Sequence, residues 1–267
     1  MPDGIRGEER MSLEDVVAEL AELRAELTDA VVATDFDGTL SPIVDDPAAA
    51  ELLPGAAEVL LRLSDRVGEL AVVSGRPVSF LAKQCPSGLT LVGLYGLEAV
   101  RDGERVDHPT AGVWRETMAD VATAAELQGP RGMRVELKGL SITLHYRGRP
   151  DLAVAVEEYS IHAARSAGLQ RRPARMSVEL HPPIDEDKGT VMLRLAEERE
   201  GPVVYIGDDV GDLPAFDALD HLAAAGRTVV RVAAQSDEMA PAMRERADVV
   251  VDGPAGVLAL LRTLADS

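Results

Sequence analysis

Short apolar runs, with helical patterns between them, are the feature that most restricts the fold of this chain. Six runs of three to five residues are apolar almost throughout, at residues 30–34, 70–73, 90–94, 203–206, 229–232 and 249–251. Such runs are typical of strands that are buried on both faces of a parallel sheet. Patterns with helical spacing at residues 54–67, 77–84, 188–199, 212–224 and 254–265 separate most of them. The alternation predicts a doubly wound α/β core, with helices on both faces of a parallel sheet.

The first residues of the chain do not follow this alternation. Residues 1–11 are polar, and we expect them to be disordered. Ser12, with Asp15 three positions later, is typical of a capping box at the start of a helix. Apolar residues then recur at steps of three and four as far as Leu27, which predicts a helix over 12–27 with one face against the core.

The middle of the chain has the pattern of a different kind of sheet. Apolar and polar residues alternate at 133–138, 140–147 and 176–180, as is typical of antiparallel strands with one face in water. Between them, a helical pattern begins at Pro150 and ends before Gly168. We therefore predict a smaller α+β domain at residues 106–182, inserted into a core formed by residues 1–105 and 183–267.

The charge of the chain limits its partners. The sequence has 27 Lys and Arg against 46 Asp and Glu, a formal net charge of −19, which opposes binding to nucleic acid or anionic membranes. No stretch approaches the roughly 18 apolar residues of a membrane span, and we expect no export signal or anchor. The single cysteine, Cys85, excludes an intramolecular disulfide or a cysteine-rich zinc site. We expect a cytoplasmic monomer that acts on a small molecule.

The inserted segment has the opposite charge. Residues 131–175 carry nine Lys and Arg and four Asp and Glu, a net charge of +5. A basic insert in an acidic chain either binds an anion or arises by chance.

The strongest motif is DFDGTL at residues 35–40, directly after the first apolar run. Open α/β sheets bind ligands at the carboxyl ends of their strands, so Asp35 can face a substrate and Asp37 can present its backbone carbonyl to a cation. Gly38 permits the sharp turn that follows. Two crowded carboxylates repel each other, and a bound divalent cation would relieve the repulsion. Taken alone, this motif is equally typical of a strand end followed by an Asx turn.

A second acidic cluster follows the run at 203–206. Asp208, Asp209 and Asp212 combine with the first motif into an all-oxygen site, for which Mg²⁺ is the usual cation when phosphate is the other ligand. Asp208 is our candidate for direct metal contact. Asp209 and Asp212 can orient Asp208, orient a lysine, or, in the case of Asp212, cap the next helix.

Two further positions suit phosphate binding. Ser74, Gly75 and Arg76 end a strand and precede a proline that can open a helix, so the hydroxyl and the helix N–H groups can cradle a phosphate. Lys188 lies among acidic residues at the start of another helix, where a surface salt bridge is the more usual role.

Together and in this order, these motifs resemble those of the haloacid-dehalogenase-type phosphatases. The resemblance implies that Asp35 attacks phosphorus to form an aspartyl-phosphate, and that Asp37 protonates the leaving alcohol and later activates water. Ser74 and Lys188 then hold the phosphoryl oxygens, and Mg²⁺ binds Asp35, the Asp37 carbonyl and Asp208. It also implies that the insert is a cap that confers substrate specificity.

More of the chain is similar to one branch, the trehalose-6-phosphate phosphatases. The similarity is carried by residues 35–47, 74–76, 138–147, 187–189 and 205–216, together with Glu179, whereas Gly211 and His181 depart from the branch's pattern. It implies a hydrolase of trehalose 6-phosphate, a phosphoric monoester. Strand alternation gives the cap a polar face on which Lys138, Arg147 and Glu179 can bind phosphoester and sugar hydroxyls, with His145 as a neutral hydrogen-bonding partner. Each of these residues can equally be an ordinary solvent-facing strand residue.

Two other functions stay open at this point. One is a related capped phosphatase for another sugar phosphate, such as mannosyl-3-phosphoglycerate or sucrose phosphate. The other is a module that senses a sugar phosphate without turnover, against which the second acid, Asp37, argues.

Overall fold

The computed structural model describes residues 26–44, 46–174, 176–236 and 239–266. Both N-terminal predictions, the disordered segment 1–11 and the helix beginning at Ser12, lie outside these residues except for the helix's last two positions, Glu26 and Leu27. Leu27 itself begins a short 3-10 helix, Leu27–Asp29.

Strands and helices alternate along most of the chain. In chain order they are β1 (Val31–Thr34), α1 (Ala56–Ser64), β2 (Glu69–Val73), α2 (Val78–Gln84), β3 (Thr90–Gly93), β4 (Glu98–Arg101), β5 (Glu104–Arg105), α3 (Ala111–Gln128), β6 (Arg134–Leu137), β7 (Ile142–His145), α4 (Ala153–Ala167), β8 (Gln170–Ala174), β9 (Ser177–His181), α5 (Lys188–Glu197), β10 (Val203–Gly207), α6 (Leu213–Ala224), β11 (Val229–Ala234), α7 (Pro241–Arg246), β12 (Val249–Val251) and α8 (Gly253–Ala265). Among these helices of the described residues, none combines the length and the apolar composition that crossing a membrane requires.

The first sheet forms the core. Within the described residues it has eight strands in the order β12-β11-β10-β1-β2-β3-β4-β5. All six strands predicted from the apolar runs pair in parallel, from β12 to β3, and β4 and β5 continue the sheet in antiparallel pairing. Because β1 lies between β10 and β2, the loops after these three strands meet at one edge of the sheet.

Helices cover both faces of this sheet. Successive strand residues point to opposite faces, so Val32 and Ile206 pack with helices α1, α2 and α8. Val31 and Tyr205 pack on the other face with α5, α6 and α7. The predicted doubly wound parallel core is confirmed.

A second sheet is built from the middle of the chain. Its strands are antiparallel in the order β6-β7-β9-β8. Ile142, Leu144 and Val178 on one face pack against α3 and α4. The core sheet extends to Arg105 and the second sheet to His181, and the division into domains at 105/106 and 182/183 stays a prediction.

Candidate active site

Asp35 lies at the end of β1, deep in the protein. Its backbone N–H donates to the Ile206 carbonyl at 2.8 Å, which fixes the start of the loop after the strand. Its side chain is 9% exposed, and Oδ2 lies 3.0 Å from Lys188 Nζ. Oδ1 is buried and has no hydrogen-bond partner among the described residues. Burial raises the pKa of Asp35 to about 7, although Lys188 acts in the opposite direction.

Asp37 turns away from Asp35 to meet Arg76. Arg76 Nε and Nη2 donate to the two carboxylate oxygens of Asp37, each at 2.7 Å. A third donor, Nη1, binds the carbonyl of Pro47 at 2.7 Å, and the guanidinium carbon lies 4.5 Å from the centre of the Phe80 ring. Arg76 was predicted to be a phosphate- or substrate-binding residue, and its guanidinium is occupied by protein partners. Since a bidentate arginine pair fixes both position and orientation, the Asp37 carboxylate is firmly held.

Gly38 lets the loop pass close to the second acidic cluster. Its φ is +75°, and a Cβ at this position would overlap the carboxylate of Asp208. Asp208 is 4% exposed, and Thr39 donates to its Oδ1 at 3.5 Å. Burial, followed by the charges of Asp35 and Asp212, raises the pKa of Asp208 to about 9.

Asp212 accepts hydrogen bonds from several groups in and around the acidic cluster. Its Oδ1 accepts from Lys188 Nζ at 2.6 Å and from the Tyr205 hydroxyl at 2.5 Å. Its Oδ2 accepts from the backbone N–H of Asp208 at 2.9 Å and of Asp209 at 3.2 Å. Asp212 stands at the N-cap position of α6, but within the described chain its side chain makes no capping hydrogen bond there. Of the roles left open by the sequence, orienting the lysine and the Asp208 loop is the one observed.

Asp209 and Lys188 have distinct surroundings. The Asp209 carboxylate accepts from the Gly211 N–H at 2.7 Å and caps the short 3-10 helix Val210–Asp212. Lys188 is 3% exposed, so it does not form the surface salt bridge that was the alternative. Burial alone would lower the pKa of Lys188, but Asp212 and Asp35 outweigh burial and raise it.

The buried carboxylates fit a hard divalent cation. Oxygens of Asp35, Asp208 and Asp212 lie within 4.8 Å of one another. Oδ1 of Asp35 has no partner among the described residues, and burial together with the neighbouring carboxylates raises the pKa of Asp208. A bound cation would favour the ionised form of both groups. Asp212 is already engaged by four donors, so Asp35 and Asp208 are the better ligand candidates. Three of the five predicted carboxylates, those of Asp35, Asp208 and Asp212, therefore come together, whereas the side chains of Asp37 and Asp209 lie outside this cluster.

Ser74 and Gly75 follow β2 as predicted, and part of the predicted phosphate cradle already has protein partners. Ser74 is buried, and its hydroxyl accepts from the Arg76 N–H at 3.3 Å. A Cβ on Gly75 would lie 2.7 Å from the Tyr95 ring and hydroxyl, so only glycine fits. The N–H of Val78, at the start of α2, already donates to Glu98 Oε2 at 3.2 Å.

A cleft of about 660 Å³ lies against the polar face of the second sheet. All four predicted sugar-site residues line it: Lys138, His145, Arg147 and Glu179. The expectation that this face is exposed to water is wrong in part, because Thr143 is 4% and Glu179 5% exposed. These two side chains line the cleft, together with residues of the first sheet's loops, and are shielded from open solvent. Ser141 and Thr143 also have buried hydroxyls without a partner in the described part of the chain.

His145 makes a hydrogen bond rather than standing free. Its Nε2 lies 2.7 Å from Glu136 Oε2, on the neighbouring strand. This hydrogen bond lowers the pKa of Glu136 to about 2. A hydrogen-bonding role for His145 agrees with this geometry.

Residues on the core side of the cleft were not predicted as site residues from the sequence. Asp46, Pro47 and Tyr95 line it opposite the second sheet. Tyr95 has φ +59°, and its ring centre lies 3.9 Å from the guanidinium carbon of Arg172 on the second sheet. Burial, followed by the charge of Glu179, raises its pKa. The sequence gives no signal for this position, since it depends on a left-handed turn that tyrosine rarely adopts.

This chain is similar to known proteins over most of its length. A sequence model described as trehalose-phosphatase matches residues 33–248. A trehalose-phosphate phosphatase of Mycobacterium avium is 36% identical over 196 residues, which cover 69% of this chain and 50% of that protein. A protein of Mycobacterium tuberculosis named an uncharacterized glycosyl hydrolase is 38% identical over 205 residues, 70% of this chain and 15% of its own length. The chain thus spans half of the first relative and a small part of the second.

The fold also agrees with solved structures. The C-terminal domain of the Candida albicans trehalose-6-phosphate phosphatase superposes with a TM-score of 0.74 at 23% identity, covering 94% of this chain and 96% of that one. Because the family model covers most of the chain and includes both aspartate motifs, the chain belongs to the trehalose-phosphatase family.

Proposed function

We propose that this chain is a phosphatase that hydrolyses trehalose 6-phosphate to trehalose and phosphate. The observation that supports this most is a buried, unpartnered oxygen of Asp35 beside Lys188 and Asp208, in a chain of the trehalose-phosphatase family. The cytoplasmic monomer expected from the sequence stays a prediction.

Asp35 is the proposed nucleophile. A carboxylate oxygen forms a bond to phosphorus while the bond from phosphorus to the sugar oxygen breaks, leaving an aspartyl-phosphate. Lys188, 3.0 Å from Asp35, and the hydroxyl of Ser74 contact the phosphoryl oxygens in this proposal. The hydrogen bond from Lys188 to Asp212 keeps the ammonium group in place.

Asp37 is the proposed acid and base. It gives a proton to the leaving sugar oxygen and then takes one from the water that attacks the aspartyl-phosphate, so that its protonation state is restored after each turnover. Arg76 acts on this step by holding the Asp37 carboxylate, and we place it as a positioning residue rather than a phosphate ligand.

Asp35 and Asp208, with the backbone of Asp37, are the proposed holders of Mg²⁺. When bound, Mg²⁺ supplies positive charge that offsets the buried carboxylates and the phosphoryl oxygens. Asp212 and Asp209 keep the Asp208 loop in position through the hydrogen bonds described above.

We further propose that residues 106–182 form a cap that binds the sugar. Lys138 and Arg147 bring positive charge to the cleft, and Glu179 and His145 offer groups that bond to sugar hydroxyls. Directly opposite Glu179 on β7 is Thr143, whose unpartnered hydroxyl can take part. This polar face supports a polyhydroxylated substrate rather than an apolar one.

The test compares two substrates in variants of the cap. Changing Lys138, Arg147 or Glu179 to Ala removes charged hydrogen bonds, worth about 1–3 kcal/mol each, only from a substrate that fills the cap. We expect kcat/KM for trehalose 6-phosphate to fall about 5- to 150-fold, with little change for a small aryl phosphate. Faster hydrolysis of a different sugar phosphate would reassign the substrate, and equal losses on both substrates would contradict a sugar-binding cap.

A further inference from the structure

Tyr95 is fixed on the loop formed by residues 74–76. Its backbone N–H donates to the Ser74 carbonyl at 3.1 Å, and the N–H of Leu94 donates to the Arg76 carbonyl at 3.0 Å. Leu94 and Tyr95 have φ values of +49° and +59°, a conformation that is costly for residues other than glycine. The Tyr95 ring also fills the space that a side chain at position 75 would need. Ring and loop therefore behave as one unit.

The Tyr95 ring also contacts the cap. The guanidinium carbon of Arg172, on β8, lies 3.9 Å from the ring centre. Arg172 is directly opposite Glu179 in the register of β8 and β9, so it stands on the polar face of the cap sheet. A guanidinium at this distance from an aromatic ring is attracted to the ring's electron-rich face. The stack thus joins the 74–76 loop to the sheet that carries the proposed sugar site.

A second contact between core and cap has a different character. Leu94, Leu97, Ala111 and Leu140 form an apolar cluster, with Trp114 and Ile184 packed against it. Ala111 and Ile184 lie close to the two points where the chain passes between core and cap. A non-directional cluster at these points tolerates small rotations, whereas the Tyr95–Arg172 stack depends on one relative position of the two sheets.

We infer that the Tyr95–Arg172 stack is a latch that holds the cap sheet over the 74–76 loop, and that both are positioning residues for the sugar substrate. The substrate part rests on the proposed function, and the latch itself does not. By fixing the cap at one height above Ser74, the stack sets the separation between the phosphate and sugar sites. A small aryl phosphate, which needs only the core, does not depend on that separation.

Kinetics of single and double variants test the latch. We expect Arg172→Gln and Tyr95→Leu each to lower kcat/KM for trehalose 6-phosphate about 3- to 30-fold, with little effect on an aryl phosphate. Tyr95→Phe retains an aromatic face and should retain most of the rate that the leucine variant loses. Because both residues act through one contact, the double variant should be no slower than the slower single variant.

Arg171→Gln is the matched control. It removes the same charge from the neighbouring position of β8, where Arg171 binds Ser160 and Glu157 of α4 on the opposite face. This variant should leave the ratio of kcat/KM for trehalose 6-phosphate to kcat/KM for the aryl phosphate unchanged. If it lowers the ratio as much as Arg172→Gln, or if losses at positions 95 and 172 add in full, the latch is contradicted and the effect is general weakening of the cap.

Small-angle X-ray scattering of the ligand-free protein separates this inference from the proposed function. The radius of gyration should increase in Arg172→Gln and Tyr95→Leu, and stay at the wild-type value in Arg171→Gln and Tyr95→Phe. Unchanged scattering in all four variants would overturn the latch. If the expected increase occurs but the wild type does not hydrolyse trehalose 6-phosphate, the latch stands and the substrate assignment fails.

Discussion

Arg76 shows how one side chain can control another in this site. All three of its guanidinium nitrogens donate hydrogen bonds, two to Asp37 and one to the Pro47 carbonyl, and the guanidinium carbon lies 4.5 Å from the centre of the Phe80 ring. A lysine carries the same charge but cannot reproduce the two parallel hydrogen bonds that orient a carboxylate. The effect of Arg76 on catalysis should therefore depend on its shape as well as its charge.

Replacing Arg76 with Lys tests this dependence. We expect kcat to fall about 10- to 100-fold, because a misplaced acid reacts slowly, while KM changes little. The loss should be the same for sugar and aryl phosphates, since Asp37 serves every ester. Steady-state kinetics on both substrates measure it, with Arg62→Lys, at an exposed pair with Asp266, as the control. A raised KM with unchanged kcat would instead assign Arg76 to phosphate binding.

The turn after β1 and the loop after β10 can lie close to each other only because residue 38 is glycine. Gly103, in the β4–β5 turn, has nearly the same backbone, with φ +77° against +75° for Gly38. A Cβ on Gly103 would meet no described atom within 4 Å, whereas one on Gly38 would overlap Asp208. The two glycines separate backbone strain from steric overlap.

Replacing each of the two glycines with alanine tests whether steric overlap at residue 38 adds to the backbone strain. Gly103→Ala should cost about 1–2 kcal/mol from the left-handed backbone alone and leave activity intact. Gly38→Ala should cost more and abolish activity, because Asp208 must move away from Asp35. Urea unfolding and phosphate release measure the two effects. Equal losses of stability together with full activity in both variants would show that the close approach is not required.

The sequence predicted elements well where burial sets the pattern. The six core strands are apolar almost throughout because both faces are covered, and each was found in place. Strand β8 was missed because its sequence, Gln-Arg-Arg-Pro-Ala, has no apolar alternation, and it exists through pairing with β9. Helix α3 was not identified since only Met118 and a few alanines on it are buried. Backbone pairing and small buried residues leave little trace in a hydrophobic pattern.

The site residues that follow apolar strands could also be predicted from the sequence. Asp35, Ser74 and Asp208 follow predicted strands, and the parallel order of the sheet brings the ends of those strands to one edge. The partner of Arg76 and the position of Tyr95 could not be predicted, since both depend on contacts between loops that are distant in sequence.

For the molecule as a whole, the buried aspartates reduce stability for the sake of function. Asp208, whose pKa is raised from 3.8 to about 9, resists ionisation in the folded state but ionises freely when unfolded. Below the pKa of the unfolded state, Asp208 is protonated in both states and does not reduce the free energy of unfolding. As the pH rises from about 4 to about 9, only the unfolded state releases the proton, so the free energy of unfolding falls. A divalent cation that binds only the folded protein restores stability, by about 2.7 kcal/mol at 100 times its dissociation constant.

Asp208→Asn should therefore have opposite effects in two buffers. In chelator at pH 8 the variant should melt at a higher temperature than the wild type, and near pH 4 the difference should vanish. With excess Mg²⁺ the wild type should gain stability and the variant should gain much less. Calorimetry of both proteins measures all three conditions, with NaCl at equal ionic strength as the control for Mg²⁺. A variant less stable than the wild type in chelator at pH 8 would contradict an uncompensated charge at Asp208.

The most direct test of the account is to trap the phosphoenzyme during turnover. The protein is mixed with Mg²⁺ and trehalose 6-phosphate labelled in the phosphate group, quenched in acid within milliseconds, and digested for peptide mapping. The account predicts transient label on the peptide that contains Asp35, removable by hydroxylamine as expected for an acyl phosphate and absent in Asp35→Asn. Label on another residue, or steady hydrolysis with no label on Asp35 at any quench time, would contradict it.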